Sequence, residues 1–220
     1  MGDALGGLLP PAIAVALSPI PIIAIVLVLG SRHARTAGPS FALGWVAGLA
    51  VVAALVVLLL PGADPDADDA GVNWLELGIG VLFLGMAAQQ WSKRPRQGEV
   101  SEMPGWMASI DRATPVRAAG LGVALSAANP KNLALTLTAA ASIAEAGLEP
   151  ADEAIAIAAF VVLGSVTVAG AVIAHLLLGE RVAGPLGAVR QFMSDHNAVI
   201  MTVVLALLGA KLVHGALGGL

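Results

Sequence analysis

Six apolar runs, near residues 8–29, 40–60, 73–91, 116–140, 153–178 and 197–217, limit what this chain can become. Each approaches the roughly 20 residues that a helix needs to cross a hydrocarbon core of about 30 Å, the third being slightly short. Composition agrees. Charged residues are 12% of the chain, hydrophobic residues 58%, and mean hydropathy is +0.88, whereas soluble domains carry about 25% charge. The expected fold class is all-α: a polytopic membrane protein with six transmembrane helices, forming one transmembrane domain over residues 1–220.

The polar segments between the runs fix an orientation. Nine of the eleven Lys and Arg residues fall in or beside segments 31–39, 92–115 and 179–196, namely Arg32, Arg35, Lys93, Arg94, Arg96, Arg112, Arg117, Arg181 and Arg190. The two alternate loops, PGADPDADDAGV and EAGLEPADE, hold carboxylates and no Lys or Arg. Short loops rich in Lys and Arg stay on the cytoplasmic side. The expectation is therefore a multi-pass protein of the cytoplasmic (inner) membrane with both termini outside. MGDALGG lacks the basic stretch of a signal peptide, so the first run is expected to be retained. Within the linker 92–115, PGWMASID places Met103, Met107 and Ile110 on one stripe beside Trp106, the pattern of a short interfacial helix, or else of a partly ordered loop. DPDADD reads as a solvated acidic turn rather than a calcium loop.

Several chemistries are excluded. With no cysteine, disulfides, thiolate zinc sites and thiol nucleophiles are ruled out. His33, His175, His196 and His214 show no ligand spacing, so no metal and no cofactor is expected. Aromatics at 4% argue against a chromophore pocket, and no basic patch suits nucleic acid.

The runs are interrupted where interruption is costly. ALSPIPI at 16–22 and ALSAANPKN at 124–132 both follow Ala-Leu-Ser with a proline element near mid-run. The first opens helices one to three (repeat one, 1–91) and the second opens helices four to six (repeat two, 116–220), so the halves run in opposite directions. That is the layout of two inverted three-helix repeats with helices one and four broken. Pro19 and Pro21 are expected to free the carbonyls of Val15 and Leu17, and Pro130 that of Ser126, because proline has no N–H to donate. The residue before each proline is biased to extended geometry. Unpaired backbone persists in a membrane only inside protein or beside a watery cavity. Ser18, Ser126, Asn129 and Asn132 can satisfy some of those groups. Lys131 adds a charge that costs roughly 2.5–3.5 kcal/mol at mid-membrane on insertion scales. Either it snorkels or merely accompanies a kink, or it is held at the crossing of the two broken helices to meet an anionic group. The expected substrate-binding or transport set is Ser18, Pro19, Pro21, Ser126, Asn129, Pro130, Lys131 and Asn132.

Other residues read more plainly. Lys211 and His214 suit snorkelling at the end of helix six, and Trp45 and Trp91 suit packing or interface anchors. Gly44, Gly48, Gly80, Gly85, Gly164 and Gly170 allow close helix contact.

LSPIPI, GW at 44–45, QQWSKRPRQGE at 89–99, MPGWMASID at 103–111, NPKN at 129–132 and SDHNAVIM at 194–201 follow in order along nearly the whole chain. This series resembles the GAP/Sap family of actinobacterial membrane proteins, named for glycopeptidolipid- and sulfolipid-addressing proteins. That family is similar in turn to the lysine-exporter (LysE) superfamily, whose proline motif in helix one and Asn-Pro-Lys motif in helix four correspond to Ser18–Pro21 and Asn129–Lys131. The first motif here reads Ser-Pro-Ile-Pro where the amino-acid exporters have Pro-Gly-Pro.

The resemblance implies a transporter or flippase-like protein moving cell-envelope lipids or glycolipids, with a larger lipid exporter as partner and a homodimer as a further option. Alternatives are export of a small solute such as an amino acid, or a non-transporting accessory subunit. An intramembrane enzyme would need Ser18 or Ser126 hydrogen-bonded to Lys131 as base. With no nucleophile motif beyond that, the expectation is that the protein is not an enzyme.

Overall fold

The computed structural model describes residues 2–59, 74–94, 110 and 114–217. Regular structure among them is entirely helical. The order is α1 (Gly2–Ala16), α2 (Pro19–Leu29), α3 (Ala34–Leu59), α4 (Trp74–Ser92), α5 (Pro115–Val123), α6 (Pro130–Glu145), α7 (Pro150–Leu178), α8 (Ala183–Asp195) and α9 (Asn197–Leu217). A wider π-type turn, Ala124–Ala128, continues α5, and a tight 3-10 turn, Gly179–Val182, joins α7 to α8. The acidic turn DPDADD and most of the linker, including PGWMAS of the expected interfacial helix, lie outside the described residues.

Three helical stretches are apolar and long enough to cross a membrane: Ala34–Leu59, Pro150–Asp195 and Asn197–Leu217. Counting the bent pair Gly6–Ala16 and Pro19–Leu29 as one span makes four among the described residues. Six were expected, and the shortfall has a local cause. The fourth expected span is cut at Asn129 into Pro115–Ala128 and α6, the latter carrying Lys131 and Asn132 near its start. The third, α4, is diluted by Glu76, Gln89 and Gln90.

The chain forms two compact units. The larger comprises Met1–Gly62 and Glu102–Ser194. Its packing follows from the apolar pattern. α2, PIPIIAIVLVL, is apolar on every side and buried along most of its length, as an all-round apolar helix should be. α3 buries one stripe, Phe41, Gly44, Trp45, Gly48, Leu49, Ala53 and Val57, and leaves Leu43, Val51, Leu55 and Leu58 exposed. That outer face suits lipid. α1 packs on α6 and α7, and α3 packs on α2, α5, α6 and α7.

Small residues let backbones meet. A Cβ on Gly44 would run into the Ala119 carbonyl, and one on Gly122 into the Phe41 carbonyl and the Trp45 nitrogen. The smaller unit, Ala63–Ser101 with Asp195–Leu220, is built on α4 against α9. There Gly80 and Gly209 face each other, a Cβ on Gly209 coming within 2.9 Å of the Gly80 carbonyl. Gly164 is likewise tight against Val15, whereas Gly85 and Gly170 have nothing within 4 Å of an added Cβ. The expected anchors separate as well. Trp45 is fully buried, and Trp91 is exposed with the Arg94 guanidinium 4.0 Å from its ring centre. Lys211 and His214 are both exposed.

Candidate functional site at two interrupted helices

Both proline motifs break the chain in the same way. Pro19 is the first residue of α2 after Ser18 at φ −70°, ψ 112°, and Pro130 is the first of α6 after Asn129 at φ −72°, ψ 118°. A proline at the first helical position loses nothing, since that N–H has no helical acceptor. The preceding residue is forced extended. The result is a 48° bend between the α1 and α2 axes. At the second break the π-type turn ends at Asn129, whose Oδ1 caps α6 by accepting the Lys131 N–H at 3.1 Å.

A break leaves carbonyls to be satisfied. The Ser18 N–H bonds to Val15 O at 3.1 Å instead of Ala14 O. Proline had been expected to free the carbonyls of Val15 and Leu17; Val15 is thus recaptured and the vacancy passes to its neighbours. Ala14 O accepts from Lys131 Nζ at 2.9 Å, and Ala16 O accepts from Thr167 Oγ1 of α7 at 2.6 Å. On the other side, Asn132 Nδ2 donates to Leu125 O at 2.8 Å. Each bond satisfies a backbone acceptor that lipid cannot.

Lys131 Nζ also donates to Ser18 Oγ at 2.6 Å. Ser18 Oγ lies 2.9 Å from Asn132 Oδ1 and 3.2 Å from Ala14 O. The proton directions follow from the ends of the chain. Leu125 O can only accept, so the Asn132 amide must turn its NH₂ there and its oxygen to Ser18. The single Ser18 proton then goes to Asn132 Oδ1, and a Ser18 lone pair takes a Lys131 proton. Thr136 Oγ1 extends the cluster by donating to Asn132 O at 2.8 Å.

Among the described residues, Lys131 is met by neutral acceptors and by no carboxylate. Its amine lies at the carbonyl end of α1, where the helix dipole is negative. An ammonium has three protons and, among the described residues, two of them have acceptors. The centre is closed: Lys131 is 4% exposed, Ser18 2% and Asn132 0%. Of the two settings in which a broken span can persist, inside protein or beside a watery cavity, the amine occupies the first.

Of the expected residues, Ser18, Lys131 and Asn132 are brought into direct contact. Pro19, Asn129 and Pro130 build the breaks that place them, and Pro21 is buried in the first turn of α2. Ser126 stands apart. It is buried and donates back to Gly122 O at 3.0 Å or Val123 O at 3.1 Å, with its hydroxyl against Gly48. Thr167, Thr136 and the Ala14 carbonyl belong to the site and carried no sequence signal. A threonine in an apolar helix hints at a carbonyl partner but not at which one. His, Asp and Glu residues form no metal-holding group among the described residues.

Searches of curated proteins and of solved structures give no match. A family model described as "Sap, sulfolipid-1-addressing protein" matches residues 8–218, nearly the whole chain and both interrupted helices. The chain belongs to that sulfolipid-1-addressing protein family.

Proposed function

We propose that the protein moves an amphiphilic envelope lipid across the membrane, its polar head being handled at the Lys131–Ser18–Asn132 centre. The family name supports the lipid class. The observation that carries the reading is a buried lysine amine at a helix break whose partners among the described residues are two neutral acceptors, Ala14 O and Ser18 Oγ. Opening α1 from α6 would exchange the Ala14 carbonyl and the Ser18 hydroxyl for a sulfate or phosphate ester, a charge-assisted and stronger acceptor. The matching extended residues before Pro19 and Pro130 support inverted repeats that rock about the breaks. In this reading the basic loops face the cytoplasm, both termini lie outside, and a larger exporter drives net movement.

A second reading takes the 2.6 Å contact between Ser18 Oγ and Lys131 Nζ as a nucleophile and its base. The proton directions argue against it, because Lys131 donates to Ser18 and the serine proton faces Asn132. Binding without covalent chemistry is the better account.

The test is Lys131→Ala in cells, with outer-leaflet glycolipid measured at matched protein abundance and Lys211→Ala as the exposed control. Loss of at least about tenfold of surface glycolipid is expected, the worth of one charge-assisted bond. Normal export by stably inserted Lys131→Ala would overturn the proposal.

A further inference from the structure

The larger unit contains a cleft of about 280 Å³ between the end of α2, the start of α3, the end of α7 and α8, and neither Ser18 nor Lys131 lines it. Its polar wall is Ser31, His175, Glu180 and Arg190. Among the described residues, neither the Glu180 carboxylate nor the Arg190 guanidinium has a protein partner, although both line the same cavity. Glu180 is exposed and Arg190 half-buried, so both charges are open to a ligand in the cleft.

The local chain explains the geometry. Gly179, at φ 60° and ψ −137°, adopts a backbone that L residues avoid, ending α7 and turning the chain through Gly179–Val182 into α8. That turn brings Glu180 and, from α8, Arg190 over the end of α2. The two segments that meet here, 31–39 and 179–196, are both basic loops, which charge alone had placed on one side of the membrane.

The chemistry is two-sided. Arg190 offers a planar donor fork suited to an acid ester. Glu180 and the carbonyl ends of α2 and α7 offer acceptors, which suit hydroxyl donors rather than a second anion. Leu176, Leu177 and Leu178 of α7 and Phe192 of α8, near the cleft in sequence, are exposed apolar residues. The 11 residues of α2 rise about 16 Å at about 1.5 Å each, which is half of a core of about 30 Å. One buried half-helix thus separates the cleft from the Lys131 centre.

We infer that this cleft is a docking site for a lipid headgroup that carries an acid ester beside free hydroxyls. The docking does not rest on the transport reading.

The experiment is titration of the full chain in dodecyl maltoside micelles with dioctanoyl phosphatidylglycerol, against dioctanoyl phosphatidylcholine and inorganic phosphate. Phosphatidylglycerol is expected to bind at least about tenfold more tightly than either comparator, with Arg190→Gln erasing that margin. Glu180→Ala is expected to weaken phosphatidylglycerol as well. Arg35→Gln, outside the cleft, serves as the control for surface charge. Unchanged affinity in Arg190→Gln would overturn the inference. So would tighter binding in Glu180→Ala, which would make that carboxylate a repulsive neighbour, or inorganic phosphate binding as well as the lipid. Because binding is read without transport, a failed Lys131 test leaves this result standing.

Discussion

At the scale of single residues, the site turns on which atom holds which proton. Sequence alone marks Lys131 as too costly to leave unexplained and Ser18 and Asn132 as its polar company. It does not reveal that the amine reaches Ala14 O, because that partner lies 117 positions away and is a backbone atom released by a shift in the last turn of α1. The same holds for Thr167 and Ala16 O, 151 positions apart. Such choices are made by packing, which local pattern does not encode. The proton chain from Lys131 through Ser18 to Asn132 has a consequence of its own. A serine whose proton faces an amide oxygen, and whose lone pair is taken by an amine proton, is a poor nucleophile. Ser18 is therefore expected to remain unlabelled by a fluorophosphonate probe in membranes, at the background level of Ser18→Ala. Stoichiometric labelling that disappears in Lys131→Ala would restore the enzyme reading.

At the scale of elements, the breaks were legible and the contacts between helices only partly so. Ser-Pro at 18–19 and Asn-Pro at 129–130 carry their geometry in two letters each, since proline restricts the residue before it whatever surrounds it. The π-type turn at Ala124–Ala128 has no such letter code and went unforeseen. Glycines fall between these cases. A list of glycines in apolar runs does not say which face a neighbour: Gly44 and Gly80 do, Gly85 and Gly170 do not, and Gly122 and Gly209 do without having been singled out. The difference is measurable. At Gly122 an added Cβ meets the backbone of α3, which cannot rotate aside, so Gly122→Ala should cost about 1–3 kcal/mol by overpacking. Gly170, exposed within α7, should gain up to about 1 kcal/mol as alanine from reduced freedom of the unfolded chain. Thermal unfolding of the two variants in detergent checks this pair. Equal midpoints for both would mean that α3 and α5 are not in backbone contact.

At the scale of the whole molecule, the functional reading depends on which side the basic segments occupy. Nine of the eleven Lys and Arg residues lie in or beside three segments, while the loop at 145–153 has none. That bias favours a cytoplasmic location for the first group. The cleft by Arg190 would then open where newly made lipid arrives, and Lys131 would lie about half a bilayer further along α2. A chain without cysteine makes the orientation directly testable, since any single cysteine introduced is the sole thiol. Glu149 and Arg35 are exposed and lie in segments assigned to opposite faces. In intact cells a membrane-impermeant maleimide should label Glu149→Cys, whereas Arg35→Cys should react only after lysis. The reverse pattern would turn the cleft outward, and it would then receive a headgroup from outside rather than from the cytoplasm.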